Sequence, residues 1–134
     1  KETDSYLASP DNQLVVADGA LITVTFASNG GSVVESKTCE YNQTIIRIGD
    51  IAIVSTPFEL FTEIGMRIDT YCTEIPYVLS LSNANGSEGY FATESEKCRG
   101  GYEIKMCEIK HIQPYEKDAD FALICETLEN LKKV

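Results

Sequence analysis

The segment TIIRIGDIAIVSTPFELFTEIGMRIDTYC, residues 44–72, limits the possible folds more than any other part of the chain. Gly49-Asp50 is a turn signal set between two apolar runs, so it reads as the tip of a strand pair. The second run, Ile51 to Val54, has no polar interruption, as expected of a central strand covered on both faces. Thr56-Pro57-Phe58-Glu59 then has the form of a helix start, with Thr as N-cap, Pro at the first helical position and Glu completing a capping box. From there the period becomes helical: Leu60, Phe61, Ile64, Ile68 and Cys72 would lie along one face. Pro76 interrupts before YVLSLS, a short strand over 77–82, so residues 51–82 make a β-α-β pass.

The flanks add strands and one more amphipathic helix. LVVADGALITVTF, residues 14–26, reads as a β-hairpin turning at Asp18-Gly19, with Ile22, Val24 and Phe26 on one face. SNGG at 28–31 is a turn cluster before a weaker strand around 33–41. NANGSEG is a loop, ESEKC one helical turn, and GYEIKMCEI over 101–109 another strand. Asp118 or Asp120 can cap a helix in which Phe121, Ile124, Cys125, Leu128 and Leu131 repeat, and Lys132-Lys133 suits its C-terminal dipole. The expectation is a mixed α/β fold (α+β in its segregation), with an antiparallel or mixed sheet, hairpins and about two helices packed on it. Residues 1–13, KETDSYLASPDNQ, are polar without period and read as a linker. Residues 14–134 form a single domain, taken as a piece of a larger protein.

Composition excludes several classes of partner. A formal charge of −10 over 134 residues disfavours nucleic acid and anionic lipid as direct ligands. No run approaches a membrane span, so the chain reads as soluble. Five cysteines at irregular spacings, without a Cys-x-x-Cys pair, argue against a disulfide framework and lean toward a reducing compartment. Cys107 and His111, the one histidine, are four apart, a spacing zinc can use, yet free thiols are the plainer reading. Asn85-Gly-Ser fits a glycosylation acceptor and also a simple turn.

Two points stand out chemically. Ligands gather at the carboxyl ends of strands in sheets with β-α-β passes, and Glu59 and Tyr90 follow two such ends. A carboxylate and a phenol brought together there can bind a metal or polarise a carbonyl. Tyr90 and Tyr102 each sit behind a glycine, which lets a tyrosine aim its phenol into a cleft; both can equally be half-buried packing aromatics. Glu59 can equally be occupied as a helix cap.

RIGDIAIVSTPFELFTEIGMRI followed by LSNANGSEGYFATESEKCRGGYE resembles the C-terminal part of the catalytic domain of neutral/alkaline (non-lysosomal) ceramidases. The matching pieces are IGDIAIVS, the P-x-E before a helix with Gly65 six residues on, the N-G-x-x-G-Y turn and the R-G-G-Y-E end. Asn85 to Glu103 aligns without gaps, and the resemblance covers about residues 44–131. Members of that family are zinc amidohydrolases that split the N-acyl bond of ceramide with a metal-activated water. By resemblance, Glu59 and Tyr90 are two zinc ligands and Tyr102 faces the substrate amide as a catalytic residue. The family's other ligands are two histidines from its N-terminal part, which have no counterpart here. The resemblance therefore implies zinc only in a complete domain, with the remainder of the polypeptide as partner, a lipid or other N-acyl amide as substrate, and no activity for this chain alone. Where the family has P-G-E this chain has Pro57-Phe58-Glu59, and a phenylalanine there can crowd the cleft or alter substrate choice. Two other readings stay open: a non-catalytic binding or structural module related to the family, and an unrelated α/β domain. Substrate, compartment and oligomeric state are not legible.

Overall fold

The computed structural model describes residues 14–26, 37–111 and 116–134, with side chains described except at 14–19, 24–26, 37 and 107–111. The expected linker at 1–13 and the turn at 28–31 lie outside these residues. Strands β1 (Leu14–Phe26), β2 (Lys37–Ile48), β3 (Ile51–Ser55) and β5 (Tyr77–Leu81) form one mixed sheet in the order β1-β2-β3-β5. A second, two-stranded sheet pairs β4 (Glu59–Leu60) with β6 (Tyr90–Phe91). Four helices complete the described fold: α1 (Thr62–Tyr71), α2 (Glu94–Arg99), α3 (Tyr102–His111) and α4 (Ala119–Leu131). The expected mixed α/β class is the observed one.

The hairpin at Gly49-Asp50 forms as the sequence predicts, with Ile48 opposite Ile51. β3 then pairs in parallel with β5 through the α1 crossover. The predicted hairpin at Asp18-Gly19 does not form. β1 runs straight through and pairs with β2 along its length, and the register skips between Ala17 opposite Ile45 and Ala20 opposite Gln43. A twelve-residue β2 offers one continuous partner, so the extra residue is absorbed as a bulge rather than a turn.

Three further expectations are corrected. Helix α1 begins at Thr62, and its N-cap, Phe61, makes no side-chain capping bond, so Thr56-Pro57-Phe58-Glu59 is not a helix start. The Glu59 and Phe61 N–H groups instead donate to the Gly89 and Phe91 carbonyls at 2.9 and 3.0 Å, which satisfies backbone donors a cap would otherwise serve. GYEIKMCEI is helical over 102–109 rather than a strand, since Gly100 and Gly101, at φ 70° and 118°, end α2 and allow a new helix rich in Glu, Lys and Met to start. Asp118 occupies the N-cap position of α4, as expected, but in a left-handed conformation and without a side-chain cap bond. Asp120 is buried and accepts from the Glu94 N–H at 3.2 Å.

Helices α1 and α4 cover one face of the large sheet. Ile64, Ile68 and Cys72 from α1, and Leu123, Ile124 and Leu131 from α4, pack with Ile22, Ile45, Ala52, Val54 and Val78 in one cluster. Phe121 and Cys125 face outward, so α4 is rotated from the expected stripe. The rotation serves a buried polar network in which Asn130 Nδ2 donates to Gln43 Oε1 (2.9 Å) and the Leu21 carbonyl (3.0 Å), and Gln43 Nε2 donates to Thr127 Oγ1 (3.1 Å). Buried amides have to be paired, and this pairing dictates which side of α4 meets β1 and β2. On that face Ala52 and Val54 of β3 are buried, while on the other face Ile51 is exposed and Ser55 is buried, where the Asn85 amide donates to its hydroxyl. Among the described residues, Cys39, Cys72, Cys98 and Cys125 are free thiols, and no helix is long and apolar enough to cross a membrane.

Candidate functional site

The small β4–β6 sheet sits where the chain leaves the carboxyl ends of β3 and β5. Its two segments are laced by main-chain hydrogen bonds from Thr56 to Leu81, Asn83 to Phe58, Ala84 to Thr56, Glu88 to Pro57 and Glu59 to Gly89, all 2.6–3.0 Å. Ser82 Oγ adds an acceptor for the Leu60 N–H at 3.2 Å. This density of pairing makes the 82–89 turn a fixed scaffold. Gly86 lies against Pro57 closely enough that an added Cβ would meet the proline Cβ at 3.0 Å, at a φ of 153°. The glycosylation reading of Asn85 meets a competing use, because its amide donates to Thr44 Oγ1 (2.8 Å) and Ser55 Oγ (3.0 Å).

Strand alternation separates anchor from function. Phe58 and Phe91 are fully buried with ring centroids 4.9 Å apart, and Phe58 also meets the Tyr41 ring edge-on at 4.9 Å. Phe58 thus fills the core and does not crowd the cleft, contrary to the expectation raised by its replacing a glycine. The next residue, Glu59, points the other way. It is the direct register partner of Tyr90, thirty-one positions on.

Glu59 and Tyr90 share an open cleft of about 600 Å³ with Phe61, Thr62, Ser82, Asn83 and Glu103. The Tyr90 phenol is raised above its usual pKa, first by the Glu59 carboxylate, then by burial and by Tyr102 and Glu103, and it hydrogen-bonds Glu59. Tyr102 opens α3 and is largely exposed, with its ring centroid 6.3 Å from that of Tyr90 in a T-shaped arrangement. The three residues named from the sequence are therefore neighbours. Glu103, Ser82 and Asn83 were not singled out there; Glu103 has a signal, following Tyr102 in the G-Y-E element, whereas Ser82 and Asn83 have none beyond their place after a strand.

Glu59 and Tyr90 fit a cation as two adjacent oxygen donors of a hard or borderline metal shell. Among the described residues, no group of three His, Cys, Asp or Glu side chains could hold a metal. The Cys107–His111 pair has its side chains outside the described set. Two oxygen donors are fewer than a metal shell takes, and the described residues offer no third beside them.

No protein-family model matches the chain, and no curated protein sequence matches it. The fold has similar solved structures. A ceramidase complexed with C2 superposes with a TM-score of 0.51 at 17% identity, over 70% of this chain and 15% of that one. The neutral ceramidase from Pseudomonas aeruginosa gives a TM-score of 0.43 at 18% identity, over 58% of this chain and 16% of that one. This chain thus spans about one sixth of the length of the ceramidases it is similar to, and the first of these likenesses shows a shared fold.

Proposed function

We propose that this chain is part of a ceramidase-like zinc amidohydrolase, acting on an N-acyl amide once further ligands from outside the chain complete the site. The observation that carries the reading is the register pairing of Glu59 with Tyr90, with Tyr102 against the same phenol, in a fold similar to a ceramidase. Glu59 and Tyr90 would hold the metal. A zinc ion there would supply Lewis acidity and lower the pKa of a water molecule. A tyrosine phenol is protonated at neutral pH, and the Glu59 carboxylate beside it shifts Tyr90 further toward that form, so it donates to Glu59 while no cation is bound. Tyr102, exposed at the start of α3, would donate a hydrogen bond to the amide carbonyl oxygen as negative charge develops on it.

The test uses the longest natural polypeptide containing these residues. Glu59→Gln and Tyr90→Phe should each lower bound zinc by at least tenfold at equal free metal, measured by a competitive chelator. Tyr102→Phe should leave zinc content unchanged and lower kcat for a short-chain N-acyl amide by about 10²–10³-fold. A polypeptide with full zinc content in the Glu59 and Tyr90 variants would refute the assignment. The alternative, a non-catalytic module, predicts no zinc and no amide cleavage in that polypeptide.

A further inference from the structure

Asp120 is a buried carboxylate that neither caps its own helix nor lines the cleft. It stands in the first turn of α4 and is 4% exposed, while the N-cap of that helix is Asp118. A carboxylate in such a place has to be paired, and both of its partners come from other helices. Asp120 Oδ2 accepts from the Glu94 N–H of α2 at 3.2 Å and lies 3.6 Å from the Arg67 guanidinium of α1. A buried charge pair adds little to stability beyond what an apolar residue of similar volume would, so its consequence is to be sought in geometry.

The two partners follow the two halves of the cleft along the chain. β4, with Glu59, leads through Phe61 into α1; β6, with Tyr90, leads through Ala92 and Thr93 into α2, which opens with Glu94. Each of these strands is two residues long, so their ladder alone does not fix the directions in which the helices leave. Asp120 joins those helices. The residues leading into α4 hold α2 a second time, because Lys97 Nζ donates to the Glu116 carbonyl as well as to Glu94 Oε2, both at 3.0 Å. Past the end of α2 come Gly100, Gly101 and then Tyr102, and a Cβ added at Gly100 would meet nothing within 4 Å. The junction adds no packing there, so Tyr102 inherits its place from α2.

We propose that Asp120 is a positioning residue for the cleft: by joining α1 to α2 it sets the angle at which Tyr102 meets Tyr90. It touches neither tyrosine and acts through the helices. The Tyr102 ring is 64% exposed and meets Tyr90 edge to face at 6.3 Å, a contact too slight to hold α3 by itself. The catalytic consequence rests on the function proposed above, whereas the geometric one does not.

The test puts 3-fluorotyrosine in place of Tyr102 in the longest natural polypeptide containing these residues and reads its 19F resonance. Asp120→Ala should move that resonance toward its position in urea, and Asp120→Asn, whose amide oxygen still accepts from the Glu94 N–H, should restore it. Glu94→Pro makes the same break by a second route, since proline suits the first helical position and removes the N–H while Asp120 stays in place. It should move the resonance as Asp120→Ala does, and Glu94→Ala, which keeps the N–H, should not. A label in place of Tyr41, packed on Phe58, should keep its native resonance throughout and shows that the core is intact; should either breaking variant unfold, the other decides. In the same polypeptide Asp120→Ala should lower kcat for a short-chain N-acyl amide roughly tenfold to hundredfold with zinc content unchanged, because the Glu59–Tyr90 ladder is untouched. On a Tyr102→Phe background that fall should shrink to about threefold or less, which a general loss of structure would not do. A Tyr102 resonance unmoved by Asp120→Ala and Glu94→Pro would overturn the proposal, as would a kcat loss that is the same with and without the Tyr102 hydroxyl. A parent polypeptide without zinc or amide cleavage would refute the proposed function, and the 19F comparison would still decide the role of Asp120.

Discussion

Replacing Phe58 with alanine should cost the protein a large share of its stability without opening the cleft. The ring is fully buried and meets Tyr41 and Phe91 at centroid distances of 4.9 Å each. Phe→Ala at such a site removes about 3–5 kcal/mol, of which about 0.5–1.5 kcal/mol belongs to each aromatic contact. With two such contacts the expected loss is about 4 kcal/mol, the middle of that range. With a urea slope of roughly 1–3 kcal/mol per molar, the midpoint should fall by about 1.3–4 M, followed by far-UV circular dichroism. Phe58→Leu keeps apolar volume and should lose about 1–2 kcal/mol, which preserves a measurable transition if the alanine variant does not fold. Phe121→Ala, at an exposed site on α4, should stay within about 0.5 kcal/mol. A loss below about 1 kcal/mol for Phe58→Ala would refute the reasoning, because it would mean that the ring faces the cleft, as the family's glycine at this position first suggested.

Two other perturbations have defined outcomes. Burial, and then the charges of Cys39 and Glu88, push the Tyr41 phenol up to about 12, so the folded state holds this proton while the unfolded state releases it near 10. Tyr41 therefore contributes stability that is complete below pH about 10 and lost as pH rises through about 12, on the order of 2 kcal/mol, and Tyr41→Phe should flatten this alkaline limb in urea midpoints measured from pH 9 to 12. Gly86→Ala introduces both an unfavourable φ and a Cβ that meets Pro57, so calorimetry should show a loss of about 1–3 kcal/mol; an unchanged Tm would mean that the 82–89 turn is not held as described.

How far local pattern carries is clearest where it applies twice. Thr56-x-x-Glu59 and Thr93-x-x-Glu96 are the same capping pattern, and either can open a helix. At Thr93 it does: the hydroxyl accepts from the Glu96 N–H and α2 follows. At Thr56 it does not, because the 82–91 segment returns beside it, takes up the backbone groups and turns residues 59–60 into a strand. That contest is invisible in the letters, and its outcome releases Glu59 from capping and sets it against Tyr90. The Asp18-Gly19 signal was likewise outweighed by the length of strand available in β2.

Signals confined to neighbouring residues were legible directly: the Gly49-Asp50 hairpin, the β-α-β pass, the buried stripe of Ile64, Ile68 and Cys72, and the short helix at 94–99. Resemblance to a family drew attention to Glu59, Tyr90 and Tyr102. Their proximity, the inward turn of Phe58 and the orientation of α4 depended on tertiary structure. The physical reason is range: turn, cap and periodicity energies act within a few residues, whereas long-range strand pairing and the pairing of buried amides act between segments whose separation no local pattern encodes.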